Sequence, residues 1–327
     1  MMDAVALFLN DAVLYGTPLL LGATGEILTE KSGNLNLGIP GIMCIGAISG
    51  TMGAFAYKEV ASTVNGFLGI TISLICCILG ALLASLIYCL LTVTLRANQN
   101  VTGLALTTFG VGFADFFGGS IIKLVGGNTG SFAATAVAKK FNWHLPIADK
   151  MGWFGKVFFS YSFMIYFALI LAIVATYILQ KTRVGLHLRA VGESPATADA
   201  AGINVTAYKY GATCIGGVIA GLGGLAYIMN CRMGGWSNGA LGDRGWLAIA
   251  LVIFATWKPW ISIFGSYLFG GLYILNNHIK APTQVQPLIQ MLPYVATIVV
   301  LVISSVRRKR ENQAPAALGL SYFREDR

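Results

Sequence analysis

The segment from Lys181 to Thr206, KTRVGLHLRAVGESPATADAAGINVT, is a long polar stretch held between two uncharged hydrophobic runs, Val157–Gln180 and Tyr210–Cys231. This alternation constrains the fold more than any other feature of the chain. Each run is long enough to cross the hydrocarbon core of a bilayer, which takes about 20 helical residues. Lipid offers no partner to a backbone N–H or C=O, so each run must be a helix and the polar stretch a surface loop. The loop encodes a short helix of its own. Ser194 is a good N-cap, and Pro195 suits a first helical position, where its missing N–H is not needed. Ala196, Ala198, Ala200 and Ala201 favour the helix, and Gly202 suits a left-handed stop. Two turns of helix in a basic loop make a compact knob on the membrane surface.

The rest of the chain repeats the hydrophobic pattern. Of 327 residues, 56% are hydrophobic and 11% charged, with a mean hydropathy of +0.72. A soluble protein carries about 25% charged residues. The expected fold is an all-α polytopic membrane protein, a bundle of about nine (8–10) transmembrane helices with broken or re-entrant segments. The spans read 11–28, 36–57, 67–95, 100–122, 157–180, 208–230, 244–257, 260–279 and 285–305. The seventh is too short for a simple crossing. Residues 1–310 form a single transmembrane domain, and 311–327 a cytoplasmic tail. The formal charge of +9 resides in short loops and in Arg307-Arg308-Lys309-Arg310, the placement that orientation in a membrane demands, so no nucleic-acid partner is expected.

With that basic run in the cytoplasm, nine spans put the N-terminus outside. Lys31, Arg96, Lys181–Lys209 and Lys258 are then inside, and Lys58, Lys123, Arg232, Lys280 and the stretch 123–156 outside. A tenth span, if 231–257 holds two short segments, would move the N-terminus inside. Gly46/Gly50 and Gly217/Gly221 are G-x-x-x-G pairs, expected to pack helices within the chain rather than form a dimer face. Pro18, Pro40, Pro287 and Pro293 lie in or at the ends of spans and are expected to mark kinks in a bundle with an irregular interior.

Catalysis is argued against by what is missing. There is no G-x-x-x-x-G-K-[ST] to cradle nucleotide phosphates. The three histidines (His144, His187, His278) are far apart, and the six cysteines lack metal-ligand spacing. No catalytic residue, metal or cofactor is expected, and ATP, if used, is used by another polypeptide. Polar groups inside spans are costly and mark candidate function. Asp115, in F-A-D-F-F, is either a helix–helix hydrogen bond or a path-lining group. Glu26 is expected to pair with Lys31, and Asp243 to neutralise Arg244. Asn34, Asn36 and the turn Gly38–Gly41 place amides beside a broken helix, as transporters do along a polar path. A proton- or ion-coupled carrier would place more ionisable groups at mid-membrane. A permease energised through a loop needs only a docking surface.

Four stretches bear a resemblance. Arg189-Ala-Val-Gly-Glu-Ser-Pro-Ala-Thr-Ala-Asp-Ala-Ala-Gly-Ile203 resembles the coupling loop of bacterial ABC importer permeases of the branched-chain amino acid, ribose and nucleoside group. Glu30-Lys-Ser-Gly-Asn-Leu-Asn-Leu-Gly-Ile-Pro-Gly41 is similar to that group's N-terminal signature, although Pro40 stands where a glutamate is usual. Gly103-Leu-Ala-Leu-Thr-Thr-Phe-Gly110 and Asp243-Arg-Gly-Trp-Leu-Ala-Ile-Ala250 match further blocks, and within the group nucleoside permeases are the most similar.

The resemblance implies an inner-membrane importer subunit for a nucleoside, with ribose-type sugars and branched-chain amino acids as alternatives. It implies three protein partners: a cytoplasmic ABC ATPase, a second related permease and an extracytoplasmic substrate-binding lipoprotein. Arg189, Gly192, Glu193, Ala198, Ala201 and Gly202 would belong to the ATPase-coupling loop. Asn34, Asn36, Thr107 and Asp115 are the candidates for the translocation path.

Overall fold

The structure is a computed structural model that describes residues 2–61, 63–120, 131–144, 155, 158–278, 282, 284–307 and 313–324. The expected external stretch 123–156 falls largely outside these residues, as do Lys280 and positions 308–310 of the basic run.

Among the described residues, six helices are long and apolar enough to cross a membrane. They are α1 (Met2–Lys31), α2 (Ile39–Val60), α3 (Gly66–Cys89), α4 (Gln99–Asp115), α6 (Phe163–Lys181) and α9 (Val205–Ala226). α3, α4 and α9 each run on through a wider turn, Leu90–Thr94, Phe116–Ser120 and Tyr227–Cys231. The surface segment holds α7 (Arg183–Glu193) and α8 (Pro195–Ala200). Three further stretches follow: the short α10 (Arg244–Phe254), then α11 (Pro259–His278), then the interrupted pair α12 (Gln286–Gln290) and α13 (Leu292–Arg307). The small helix α5 (Thr135–Phe141) follows β1 (Phe132–Ala133), which pairs antiparallel with β2 (Gly235–Trp236).

The all-α polytopic fold is therefore as expected, while several edges move. α1 is longer than 11–28 at both ends, because hydrogen bonding carries a helix through polar residues that a hydropathy window rejects. α6 begins at Phe163, not 157. The ninth stretch breaks at Met291, between α12 and α13. The region 231–257 holds one helix and a short strand, so among the described residues it has no room for a tenth span.

α9 is the centre of the bundle, packed on α1, α2 and α3, while α1 also packs on α10 and α11. Glycine permits the approach. A Cβ at Gly46 would lie 2.6 Å from the Cα of Gly221, so the two G-x-x-x-G stripes face each other inside the chain. Of the four prolines, only Pro18 lies deep in a helix; Pro40, Pro287 and Pro293 sit in first turns. The outer faces of α3 and α6 expose Leu79, Leu83, Ile87, Ile170, Ile173 and Tyr177. So many apolar groups facing outward fit lipid, not water.

Candidate functional site

The surface segment is built as a rigid knob. Thr182 caps α7 by accepting the Gly185 N–H, and Ser194 caps α8 by accepting that of Thr197. Gly202 takes φ +80°. Its N–H bonds the carbonyl of Asp199, and the next N–H, of Ile203, reaches back to Ala198. This paired closure satisfies carbonyls the helix leaves free. Val191, Ala198 and Val205 then pack into a small core of their own. The expectation named only α8; α7 is the additional element that gives α8 something to pack on.

The six coupling-loop residues divide by environment. Arg189, Glu193, Ala201 and Gly202 are exposed, whereas Gly192 and Ala198 are buried. Gly192 lies against the end of α1, where an added Cβ would press on the carbonyl of Lys31. The segment 313–324 is no free tail. It returns as a strap across the knob: Ala317 N–H donates to Gly192 O at 3.0 Å and Gly319 N–H to Gly33 O at 3.3 Å. The Tyr322 hydroxyl donates to Asp199 at 2.8 Å, Arg324 pairs with Asp199 at 3.2 Å, and Arg96 stacks on Phe323 at 4.6 Å. Knob and strap enclose a polar cleft of about 390 Å³ that includes Arg96, Asp199, Lys209 and Tyr322. The apolar and aromatic residues of 317–323, unusual in a solvated tail, are the sequence signal for this docking.

Beneath the knob, the turn 32–38 is fastened by side chains from four helices. Asn34 donates to Thr213 at 3.0 Å, and Asn36 N–H to Glu26 at 3.2 Å. Leu35 N–H donates to Gln99 at 2.7 Å, Tyr88 O–H to Leu35 O, and Thr107 O–H to Leu37 O at 2.7 Å. Glu26, Asn34 and Asn36 are each fully buried. The structure thus brings Asn34, Asn36 and Thr107 together, bonded to the protein itself, in a joint between α1, α2 and α4. Glu26 serves the Asn36 amide rather than Lys31, which corrects the expected ion pair. Gln99 and Tyr88 carry no sequence signal that would single them out. Glu30 accepts the indole N–H of Trp257, at the turn joining α10 to α11. In that turn Thr256 and Trp257 hold φ of +49° and +55°, costly for residues with side chains.

Three of the four similar blocks meet at the start of α2. The backbone of Gly41 abuts Thr107, and that of Gly245 abuts Pro40. Pro40 is buried there.

Asp115 stands apart from the other path candidates. Its carboxylate accepts the Gly239 N–H at 2.9 Å, tying α4 to the loop before α10 rather than to a helix. Arg244 likewise does not neutralise Asp243. Its guanidinium donates to Leu241 O at 2.8 Å and to the Tyr273 hydroxyl at 2.7 Å. It also lies 3.8 Å from the ring centre of Tyr227 and 4.7 Å from that of Tyr273.

Known proteins match this chain along nearly its whole length. The family described as branched-chain amino acid transport system / permease component matches residues 8–301. TsgC13 of Haloferax volcanii, named as a glucose ABC transporter permease protein, is 33% identical over 99% of both chains. The nucleoside ABC transporter permease protein NupC of Lactococcus lactis is 31% identical over 98% of each chain. The guanosine ABC transporter permease protein NupQ of Bacillus subtilis is 30% identical over 99% of this chain and 98% of its own. No solved structure matches. The chain belongs to the branched-chain amino acid transport system / permease component family and is a multi-pass ABC transporter permease subunit, not an enzyme.

Proposed function

We propose that this subunit forms part of the translocation path of a nucleoside importer, powered by a separate cytoplasmic ATPase that docks on 181–206. The observation that carries the coupling role is the construction of the knob. Two capped helices, buttressed by the end of α1 and by the strap, present Arg189, Glu193, Ala201 and Gly202 outward. Such a body can pass on a push, whereas a loose loop would absorb it. Beneath it, Asn34, Asn36 and Thr107 carry that motion into α2 and α4, and Asp115 steadies the loop at the far end.

The substrate class is supported by the near full-length likeness to NupC and NupQ. In this assembly the knob and strap face the cytoplasm of the inner membrane. A second permease completes the path, and an extracytoplasmic lipoprotein delivers the nucleoside. A sugar importer is the second reading, favoured by the 33% identity to TsgC13.

The test is vesicle uptake of labelled guanosine, glucose and leucine by the assembled transporter, together with co-purification of the ATPase. Guanosine uptake that needs ATP is expected, and Glu193→Arg or Ala201→Arg should release the ATPase without lowering the amount of inserted chain. Retention of the ATPase by both variants would remove the knob from its coupling role. Uptake that follows an ion gradient without ATP would refute the class of mechanism.

A further inference from the structure

At the end of the bundle away from the knob, a cavity of about 610 Å³ opens among α1, the end of α9, the start of α10, α11 and α13. Its depth follows from helix geometry. Tyr15 precedes Glu30 by fifteen residues on α1, or about 22 Å at 1.5 Å per residue. Glu30 is bonded to Trp257, just beyond the other end of α10. α10 has 11 residues, so it spans only about 16 Å of a core that is about 30 Å thick. Its first residue, Arg244, stands at the wall of the cavity.

The lining is chemically specific. Tyr15, Tyr227, Tyr273 and Tyr294 supply four aromatic rings, beside Asp243 and Arg244. The Tyr15 and Tyr273 rings lie 26° from parallel, with centres 6.3 Å apart. Arg244 is held between Tyr227 and Tyr273 and fixes both rings. Tyr273 and Tyr294 are each 40% exposed, and both line the cavity. Asp243 precedes α10 without capping it and is exposed. Among the described residues nothing pairs with its carboxylate, which can accept two hydroxyl protons from one solute. Flat ring faces with an adjacent carboxylate suit a heteroaromatic base joined to a sugar diol. A volume of this size falls within the usual range for small-ligand pockets.

We propose that this cavity is a solute site within the permease, which binds a nucleoside by stacking its base on the tyrosines and holding its ribose hydroxyls on Asp243. The proposal rests on the nucleoside substrate class above and adds where, and through which groups, the membrane subunit itself recognises that substrate.

The assembled transporter tests it in two ways. In uptake of labelled adenosine at matched membrane levels, Tyr273→Ala and Asp243→Asn should each raise KM. Loss of one stacking ring should cost roughly 5- to 150-fold. Should Tyr273→Ala fail to insert, 8-azidoadenosine photolabelling of the unaltered transporter decides the matter. Label on peptides covering Tyr227–Arg244 or Tyr273–Tyr294 supports the site, and label confined to other parts of the chain overturns it. Unchanged KM in both Tyr273→Ala and Asp243→Asn, with adenosine still imported, removes the site but leaves the nucleoside reading standing. Uptake of glucose or leucine but no nucleoside by the unaltered transporter removes both.

Discussion

Tyr322→Phe is the sharpest perturbation of the coupling end, because it deletes one oxygen and keeps the ring. That hydroxyl donates to Asp199 at 2.8 Å, and the Asp199 side chain is only 15% exposed. A hydrogen bond to a charged, largely buried acceptor is worth about 1.5–3 kcal/mol. Arg324 also reaches Asp199, but its side chain is 74% exposed, so water screens that pair to at most about 1 kcal/mol. The hydroxyl therefore outweighs the ion pair in holding the strap. Loss of 1.5–3 kcal/mol from strap closure should raise the population of the open form by roughly 10- to 150-fold.

The assay is amide hydrogen exchange of the chain in lipid nanodiscs, read on peptides covering 313–324. Ala317 and Gly319, whose N–H groups bond Gly192 and Gly33, report the opening directly. Exchange should accelerate by the factor above in Tyr322→Phe and only slightly in Arg324→Ala, with peptides from α9 unchanged. Equal protection in Tyr322→Phe and the unaltered chain would refute the assignment of the strap to this bond. A larger effect from Arg324→Ala than from Tyr322→Phe would show that the ranking of the two contacts is wrong.

The other expectations are more compact. Gly46→Leu should lower the melting temperature in detergent, at a cost of about 1–3 kcal/mol or more, because its Cβ falls 2.6 Å from the Gly221 Cα; an unchanged melting point would separate α2 from α9. Thr256→Gly should stabilise by about 1 kcal/mol in the same assay, since it relieves a left-handed threonine, and a fall in stability would contradict the turn. Gly202→Val meets no steric obstacle, yet its φ of +80° should cost roughly 1 kcal/mol or more and loosen α8, seen as faster proteolysis of the knob with insertion intact. Asp115→Asn keeps an acceptor for the Gly239 N–H and should transport normally, whereas Asp115→Leu should not; a dead Asp115→Asn variant at normal membrane levels would show that the charge itself is used.

Much of the local design can be read residue by residue. Ser194, Pro195 and Gly202 act through their own backbone and nearest neighbours, so the cap, the start and the stop of α8 follow from chemistry within one turn. The glycine stripes of α2 and α9 are legible for the same reason, since only close helix contact in lipid rewards them. Edges are less legible. Hydropathy measures the transfer of side chains to lipid, whereas a helix ends where its hydrogen bonds end, so α1 continues to Lys31 through Glu26 and Glu30.

The sequence by itself determined that this chain is a helical, multi-pass membrane protein with a rigid basic knob, because lipid leaves the backbone no other choice and capping is local. Only the tertiary structure decided the partners of its costly polar groups. Glu26 has Lys31 five residues away, yet it is turned to the Asn36 amide by the reversal of the chain after α1. Asp243 and Arg244 are neighbours in sequence, but Arg244 is drawn between two tyrosines from α11 and the end of α9. The strap lies more than a hundred residues from Asp199 and reaches it only when the bundle has formed. Spacing along a chain governs caps and helix faces, while a buried hydrogen bond takes whichever partner the packed helices bring within about 3 Å.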